Sequence, residues 1–329
     1  MKPRLSLAVH GSLLAAAAAA AFAVSSRDGA APISSPTEAV VWGGKPADVE
    51  RIRYDAKGKR VSIDARADAT GRFFVGTVEK DKAPDAGAAA SPPTTTFVSV
   101  AAATKLTEAL APLRATRALG KLDPAHAADF GLATPEATLT VRVAGQEHEL
   151  TLGAATPGGA DRYALDRARG ELYVVKGDPL RDAESPETRL LERDPHAWKD
   201  ADVTSARIEA AGKAREVARG GTEAKRFWSD PASRDKADET LGNWMSKLDR
   251  LRPTEYVAAP PEGRTVALRV EWSGASGKLG WLELVKAPGE GGKSAWFIVT
   301  ERTRLHAKVL ATLAEQVEAD IASVGAASH

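Results

Sequence analysis

The chain contains no cysteine, which excludes disulfide bonds, thiolate nucleophiles and every zinc or iron–sulfur site that needs a cysteine ligand. It also lacks an excess of either charge, because 45 Lys and Arg residues oppose 44 Asp and Glu residues and leave a formal net charge of +1 at pH 7. Such a balance creates no long-range field that would attract nucleic acid or anionic lipid. Nucleic acid is therefore not expected as a partner.

Motifs that carry chemistry are equally scarce. The six histidines are scattered singly, without a His-x-x-x-His pair or a His-Glu-x-x-His helix, and the nucleophile elbow Gly-x-Ser-x-Gly is absent. Residues 287–294 have a relaxed phosphate-loop spacing, but residues 295–299 are typical of a strand, whereas a phosphate loop needs a helix N-terminus there. We predict no catalytic, cofactor-binding or metal-binding residues and no cofactor, so a non-catalytic protein is favoured over an enzyme.

The N-terminus has the layout of an export signal. Lys2 and Arg4 precede an apolar run that contains consecutive alanines at 15–21 and ends in a small-x-small triplet. Residues 5–24 number about 20, the length of a membrane-spanning helix, so an uncleaved anchor stays open as an alternative to a cleaved signal. We predict an exported, periplasmic protein that is either soluble or anchored by its N-terminal helix. It would contact the membrane only through residues 1–24.

The rest of the chain has the composition of a globular protein, with 43% hydrophobic and 27% charged residues, and its length suggests about two domains. Two tracts are too poor in large apolar residues to pack into a core. Residues 25–40 are predicted to be a flexible stalk, and residues 79–96 a flexible insertion. Residues 325–329 are a short tail.

One pattern of residues occurs twice between these tracts. Three large apolar residues recur with spacings of four and then three, which places them on one face of a helix: Leu106, Leu110 and Leu113, then Trp244, Leu248 and Leu251. Alternating strands follow at 137–143 and 266–272. We predict an α+β fold of two tandem modules, 41–195 and 196–324, each a mainly antiparallel β-sheet packed on an amphipathic helix.

The order of several structural motifs resembles a known family. The motifs are Phe-Gly-Leu at 130–132 with Pro135, the alternating strand 137–143, a second strand ending in Leu-Thr-Leu-Gly at 150–153, and Arg-Leu-Leu at 189–191 before a new strand at Val203. In this order they resemble the bacterial family called domain of unknown function 4340, over most of the chain after the stalk. The resemblance implies an exported or membrane-anchored envelope protein, often encoded beside ABC-transporter parts of the gliding type, with no established chemistry. The insertion at 79–96 departs from the family's compact pattern.

Tryptophans are concentrated in the second predicted module. Trp272 shares a strand face with Val270 and is expected in the core. Trp281 and Trp296 lie in strands that are apolar on both faces, so each is either a core residue or a partner-binding aromatic. These two rings are the candidate binding residues that the sequence offers.

Together these features favour a non-catalytic, exported envelope protein built as a duplicated binding module. Its predicted partner is an envelope protein, and the resemblance implies an accessory role in an ABC-type transport or gliding-type complex. Two alternatives stay open: a hydrolase of envelope polymers, which would need a dyad or triad in a polar cleft, and a carbohydrate- or peptidoglycan-binding protein, which would need a line of exposed tryptophans.

Overall fold

Strands dominate this protein. The computed structural model describes residues 38–81, 92–222 and 225–325. Strands hold 48% of the residues and helices 22%, so a hydrogen-bonded sheet, rather than a layer of helices, organises the chain.

Several predicted segments fall on residues outside these ranges. The export segment 1–24 lies wholly outside them, as does most of the stalk, although Ala39 and Val40 belong to the first strand. The middle of the predicted insertion, 82–91, is also outside, and its two ends continue neighbouring strands.

Eighteen strands and six α-helices make up the described residues. The strands are β1 (Ala39–Trp42), β2 (Val49–Ala56), β3 (Lys59–Asp68), β4 (Gly71–Lys80), β5 (Thr94–Ser99), β6 (Leu113–Lys121), β7 (Ala137–Val143), β8 (Gln146–Ala155), β9 (Asp161–Asp166), β10 (Glu171–Lys176), β11 (Val203–Ala210), β12 (Lys213–Thr222), β13 (Lys225–Ser229), β14 (Glu255–Tyr256), β15 (Thr265–Gly274), β16 (Gly277–Pro288), β17 (Ser294–Thr300) and β18 (Ala307–Lys308). The helices are α1 (Ala101–Leu110), α2 (Gly177–Glu184), α3 (Pro186–Arg189), α4 (Glu239–Leu248), α5 (Ala311–Ala319) and α6 (Ile321–Gly325).

All strand pairings among the described residues are antiparallel and join the 18 strands into one sheet. From one end to the other the order is β1-β6-β10-β9-β8-β7-β2-β3-β4-β5-β14-β18-β17-β16-β15-β11-β12-β13. The two halves of the chain meet where β5 pairs with β14, through Thr96 and Tyr256. Strands β1 and β13 are the two ends.

The predicted pair of tandem sheet-on-helix modules is wrong. The strands form one large sheet with few helices, and one continuous core cluster contains buried residues from both halves. The error has a physical origin. Alternating residues reveal which face of a strand is buried, but they do not reveal which strand pairs with an edge, and the two-residue β14 is too short to show any period.

The individual strands and buried faces match the alternation closely. The strand expected at 137–143 is present as β7, with its alternate residues buried. All six residues of the repeated apolar triplets are buried, but α1 ends at Leu110 and α4 at Leu248. Leu113 therefore starts β6, and Leu251 lies beyond its helix. Within the described ranges, no helix has both the length and the apolar composition that crossing a bilayer requires.

Glu192 connects three elements at the meeting point of the halves. Its backbone N–H donates to the carbonyl of Val98 in β5 at 2.7 Å, and its own carbonyl accepts from the Tyr256 hydroxyl in β14 at 2.8 Å. Its carboxylate pairs with Arg302 at 2.9 Å, with side-chain exposures of 17% for Arg302 and 8% for Glu192. Burial raises the pKa of the Tyr256 hydroxyl, so that hydroxyl stays a donor.

Arg304 makes a second contact between the halves. Its guanidinium donates to the Asp68 carboxylate at 2.8 Å and to the Thr70 hydroxyl at 2.7 Å, and it lies 4.5 Å from the centre of the Phe73 ring. Desolvation alone would raise the pKa of Asp68, but the hydrogen bonds from Thr70 and Arg304 outweigh it and lower the pKa to about 2. The turn between β3 and β4 is thereby held to the turn after β17.

We expect Asp68→Asn to lower the free energy of unfolding at pH 7 by about 1 kcal/mol, a value reduced for the partial solvent exposure of the carboxylate. Because the pKa of Asp68 is about 2 in the folded state and about 3.9 in an unfolded chain, the charge contributes fully above about pH 4. That contribution is lost as the pH falls towards 2. Urea unfolding of the wild type and the variant from pH 7 to pH 2 measures this difference.

The matched control is Asp55→Asn, since Asp55 pairs with Arg60 on the exposed surface of a single hairpin. Its expected effect is within about 0.5 kcal/mol. A difference between Asp68→Asn and the wild type that persisted unchanged down to pH 2 would contradict the assigned ion pair.

Candidate ligand cleft at Asp200 and Asp249

Two adjoining cavities of about 520 and 400 Å³ share Asp200 and Asp249 in their walls. We call them together the Asp249 cleft. The larger cavity is lined by Arg219, Arg226 and Trp228, among others. The wall of the smaller cavity includes the aromatic His196, Trp198 and Trp272, the basic Arg252 and Arg302, the acidic Asp194, and apolar residues such as Ala197.

Helix α4 places Asp249 in the cleft. The helix begins after Asp238, whose carboxylate accepts from the Leu241 N–H at 2.9 Å and so satisfies one of the N–H groups that a helix start leaves without a partner. The same carboxylate pairs with the buried Arg215 at 2.9 Å. Leu241 and Leu248 pack the apolar face of α4 into the core. Asp249 follows directly and lines the cavities.

Two arginines build the opposite wall. Arg226 donates to the backbone carbonyls of Asp200, at 2.9 Å, and of Val203. Arg219 pairs with the Asp200 carboxylate and lies over the ring of Trp228, 4.2 Å from its centre. Burial and the neighbouring charge of Arg226 lower the pKa of Arg219. Both guanidinium groups are thus held by protein groups and form a fixed wall.

Asp249 stands out among the acidic groups of the cleft. Among the described residues, no Lys, Arg or His nitrogen lies within 4.0 Å of its carboxylate. The surrounding protein desolvates this carboxyl and raises its pKa, against the opposing effect of Arg219, His196 and Arg252. Arg252 donates only to the carbonyls of Asp249 and Leu251. The cleft therefore presents a desolvated carboxyl group, Asp249, that has no ion-pair partner among the described residues.

His196 forms a rigid part of the same wall. Its Nδ1 is 2.9 Å from Oε1 of Glu301, and both side chains are 11% exposed. The ring stacks on Trp198, with 4.3 Å between centres, and meets Trp272 edge-on at 4.7 Å. Because an ionised carboxylate only accepts hydrogen bonds, Nδ1 of His196 is the donor in this contact.

Glu301 is itself fixed from two sides. Its second carboxylate oxygen accepts from the backbone N–H of Trp281 at 2.9 Å. Gly280 makes room for this arrangement, since a Cβ at that position would lie 2.4 to 2.6 Å from the carboxyl atoms of Glu301. A glycine in β16 is thus what lets the Glu301 carboxylate reach His196.

The two tryptophans proposed from the sequence lie outside the walls of this cleft. Trp296 is 1% exposed, so it is a core residue with no face open to a partner. Trp281 is half-buried, and the Arg269 guanidinium lies 4.8 Å from its ring centre. Across the described ranges, no three His, Asp or Glu side chains converge as metal ligands would. The strand expected after Lys293 is confirmed, since β17 begins at Ser294.

The residues that do form the cleft gave no sequence signal. His196 and Glu301 are 105 positions apart, and the separation of Asp200 from Asp249 also exceeds the reach of any local motif. Only the sheet topology brings them together. Nothing in the sequence around His196 and Trp198 indicates that the His ring meets a carboxylate.

Part of the chain, including several residues of the cleft, matches a known sequence family. The sequence model of the family described as domain of unknown function (DUF4340) matches residues 98–268, just over half of the chain. The chain belongs to this family. No curated protein and no solved structure matches it. The DUF4340 range runs from β5 into β15 and includes His196, Asp200 and Asp249, whereas Glu301 lies beyond it.

We expect Gly280→Ala to lower the free energy of unfolding by about 1–3 kcal/mol, because the new methyl group must displace a carboxylate that holds two part-buried hydrogen bonds. Urea unfolding measures the loss. Gly242→Ala is the matched control: this glycine lies within α4 with nothing within 4 Å of an added Cβ, so the same substitution should stabilise by about 0.5–1 kcal/mol. Equal stability of Gly280→Ala and the wild type would contradict the placement of Glu301.

Proposed function

We propose that this protein is a non-catalytic binding component of the bacterial cell envelope, and that the Asp249 cleft takes a ligand or a partner's side chain. The observation that carries the proposal is the pairing pattern of the cleft. Arg219 and Arg302 each pair with a carboxylate, whereas no Lys, Arg or His nitrogen of the described residues lies within 4.0 Å of the Asp249 carboxylate. Polar groups set on a rigid aromatic wall are typical of a small binding site.

The envelope location and the partner belong to the same proposal. They rest on residues 1–24, which resemble an export signal or anchor, and on what the family resemblance implies about envelope proteins and ABC-type or gliding-type transport complexes. The partner is accordingly proposed to be an envelope protein.

Common contacts support the proposed duplication. Arg72 in β4 donates to the carbonyls of Pro46 and Val49, as Arg226 in β13 does to those of Asp200 and Val203. The halves then differ at one decisive position. Ala111 follows α1, whereas Asp249 follows α4. The proposed binding function therefore lies in the second half of the chain.

A second candidate function is hydrolysis of an envelope polymer. It is favoured by one observation, the His196–Glu301 pair at 2.9 Å beside the Asp249 carboxyl, because a histidine oriented by a carboxylate can accept a proton from water. We rank it second because no Ser, Thr or Lys of the described chain lines the smaller cavity, and the Ser246 hydroxyl of the larger cavity donates to the Gly242 carbonyl at 2.9 Å. The carbohydrate-binding alternative would need a line of exposed tryptophans, whereas all seven tryptophans are buried or half-buried.

To test the cleft, a photo-crosslinking amino acid replaces Ala197, which is exposed and lines the smaller cavity. We expect one discrete adduct in envelope preparations, weakened about tenfold by Asp249→Asn, because that substitution removes a wall carboxylate that has no ion-pair partner among the described residues. The control position is Ala128, an exposed residue in the Pro124–Phe130 turn. An adduct at 197 that Asp249→Asn leaves unchanged would reject the cleft as the binding site. Release of soluble fragments from an envelope polymer by the wild type, abolished by His196→Gln, would favour hydrolysis over binding alone.

To test the location, the native protein is fractionated and its N-terminus sequenced. If the protein serves a membrane transporter, we expect at least part of the population to keep residues 1–24 and to sediment with membranes, because only an attached chain stays beside a membrane partner. A mature chain that starts uniformly near Val24, wholly in the soluble periplasmic fraction, would reject the accessory role. A chain found in the cytoplasm would reject export.

A further inference from the structure

Among the described residues, one edge of β6 is unpaired over most of its length. On one side β6 pairs with β10 from Ala115 to Lys121. On the other side β1 covers only Leu113, Arg114 and Ala115. Between Thr116 and Lys121 no strand of the described ranges pairs with that second side. Unpaired N–H and C=O groups of such an edge are a template for another strand.

The side chains of this edge have one sign of charge. Strand β6 contains Arg114, Arg117 and Lys121 and no acidic residue, and all three are exposed. Within the part of the chain that the structure describes, none of the three lies within 4.0 Å of a carboxylate. Leu119 is 39% exposed on the same segment. The edge thus combines basic side chains with an apolar contact point.

This charge selects among the occupants that a strand edge accepts. A second copy of β6 would place basic residues against basic residues, which is unfavourable. The opposite end of the sheet, β13, begins with Lys225 and Arg226, so head-to-tail stacking of copies meets the same repulsion. The Trp228 carbonyl in β13 also already accepts from the Asp238 N–H at 2.8 Å. An acidic strand, in contrast, gains both backbone hydrogen bonds and charge complementarity.

We propose that the β6 edge from Thr116 to Lys121 binds an extended acidic segment of a partner protein by strand addition. The segment would lie antiparallel or parallel to β6 beyond the end of β1, with acidic residues beside Arg117 and Lys121 and an apolar residue near Leu119. This site is separate from the Asp249 cleft and does not depend on the function proposed for it.

The probe is a short capped peptide of alternating glutamate and valine. A second peptide, in which lysine replaces each glutamate, is the control. Hydrogen exchange followed by mass spectrometry reports which amides become protected, and fluorescence anisotropy gives the affinity. We expect the acidic peptide to slow exchange within residues 116–121 and the basic peptide to leave it unchanged. The full-length protein is used throughout, so that residues before Ala39 are present.

The decisive variant is Arg117→Glu with Lys121→Glu, which should weaken the acidic peptide at least about tenfold and allow the basic peptide to bind. The control is Arg53→Glu with Lys57→Glu, which makes the same charge change at exposed positions in and beside β2, a strand paired on both sides. This control should bind the acidic peptide as the wild type does.

Four results would overturn the proposal. The first is that the acidic peptide protects residues 116–121 at no soluble concentration. The second is that the control variant loses as much affinity for the acidic peptide as the decisive variant does. The third is that the amides of 116–121 are already protected in the free monomer, which would assign the edge to the chain's own residues before Ala39. The fourth is that the wild type sediments as a dimer and that Arg117→Glu with Lys121→Glu dissociates this dimer. That result would assign the β6 edge to a second copy of the chain. Failure of the cleft-crosslinking experiment would leave this proposal standing, because the two sites share no residue.

Discussion

The buried ion pair between Glu192 and Arg302 is the constraint on which the two halves depend. Glu192 is 8% exposed, and its carboxylate has been moved out of water at a cost that only a close partner offsets. With Arg302 in place, the backbone of the same residue is free to bind β5 through Val98 and β14 through Tyr256. Removing either charged partner would leave a buried charge without compensation. This loss would fall beside the place where β5 and β14 are joined by a single residue pair.

The neighbours of Arg302 show how one turn serves both the fold and the cleft. Thr300 donates to the Pro195 carbonyl at 2.6 Å, Glu301 meets His196, and Arg304 reaches across to Asp68. The end of β17 and the turn that follows it therefore hold the chain link before β11, one wall of the Asp249 cleft and the β3–β4 turn. The geometry of the cleft is fixed by the same segment that fixes the junction.

Local structure could be predicted from the sequence, and its assembly could not. The alternation in 137–143 identified β7 and its buried face because burial of a strand leaves a period of two in the sequence. The pairing of Thr96 with Tyr256 left no such record, since β14 spans two residues. The cleft was missed for a related reason. The acidic residues, the histidine and the arginines of the cleft come from separate strands and connecting segments. Of the two tryptophans that the sequence offers as binding residues, Trp296 is buried and Trp281 is half-buried.

The single Thr96–Tyr256 pairing also limits how the protein can be dissected. Cutting the chain near residue 195 would leave β5 with an exposed edge and would separate Val98 from Tyr256, the two residues that Glu192 holds together. A C-terminal fragment would keep Asp249 but lose Asp68, the residue that neutralises Arg304. An N-terminal fragment would keep the unpaired edge of β6 and would gain a second unpaired edge at β5, which the intact chain does not have. Truncated forms would therefore expose strand edges and charged groups that the intact molecule covers. Screens for ligands or partners are best done with the undivided chain.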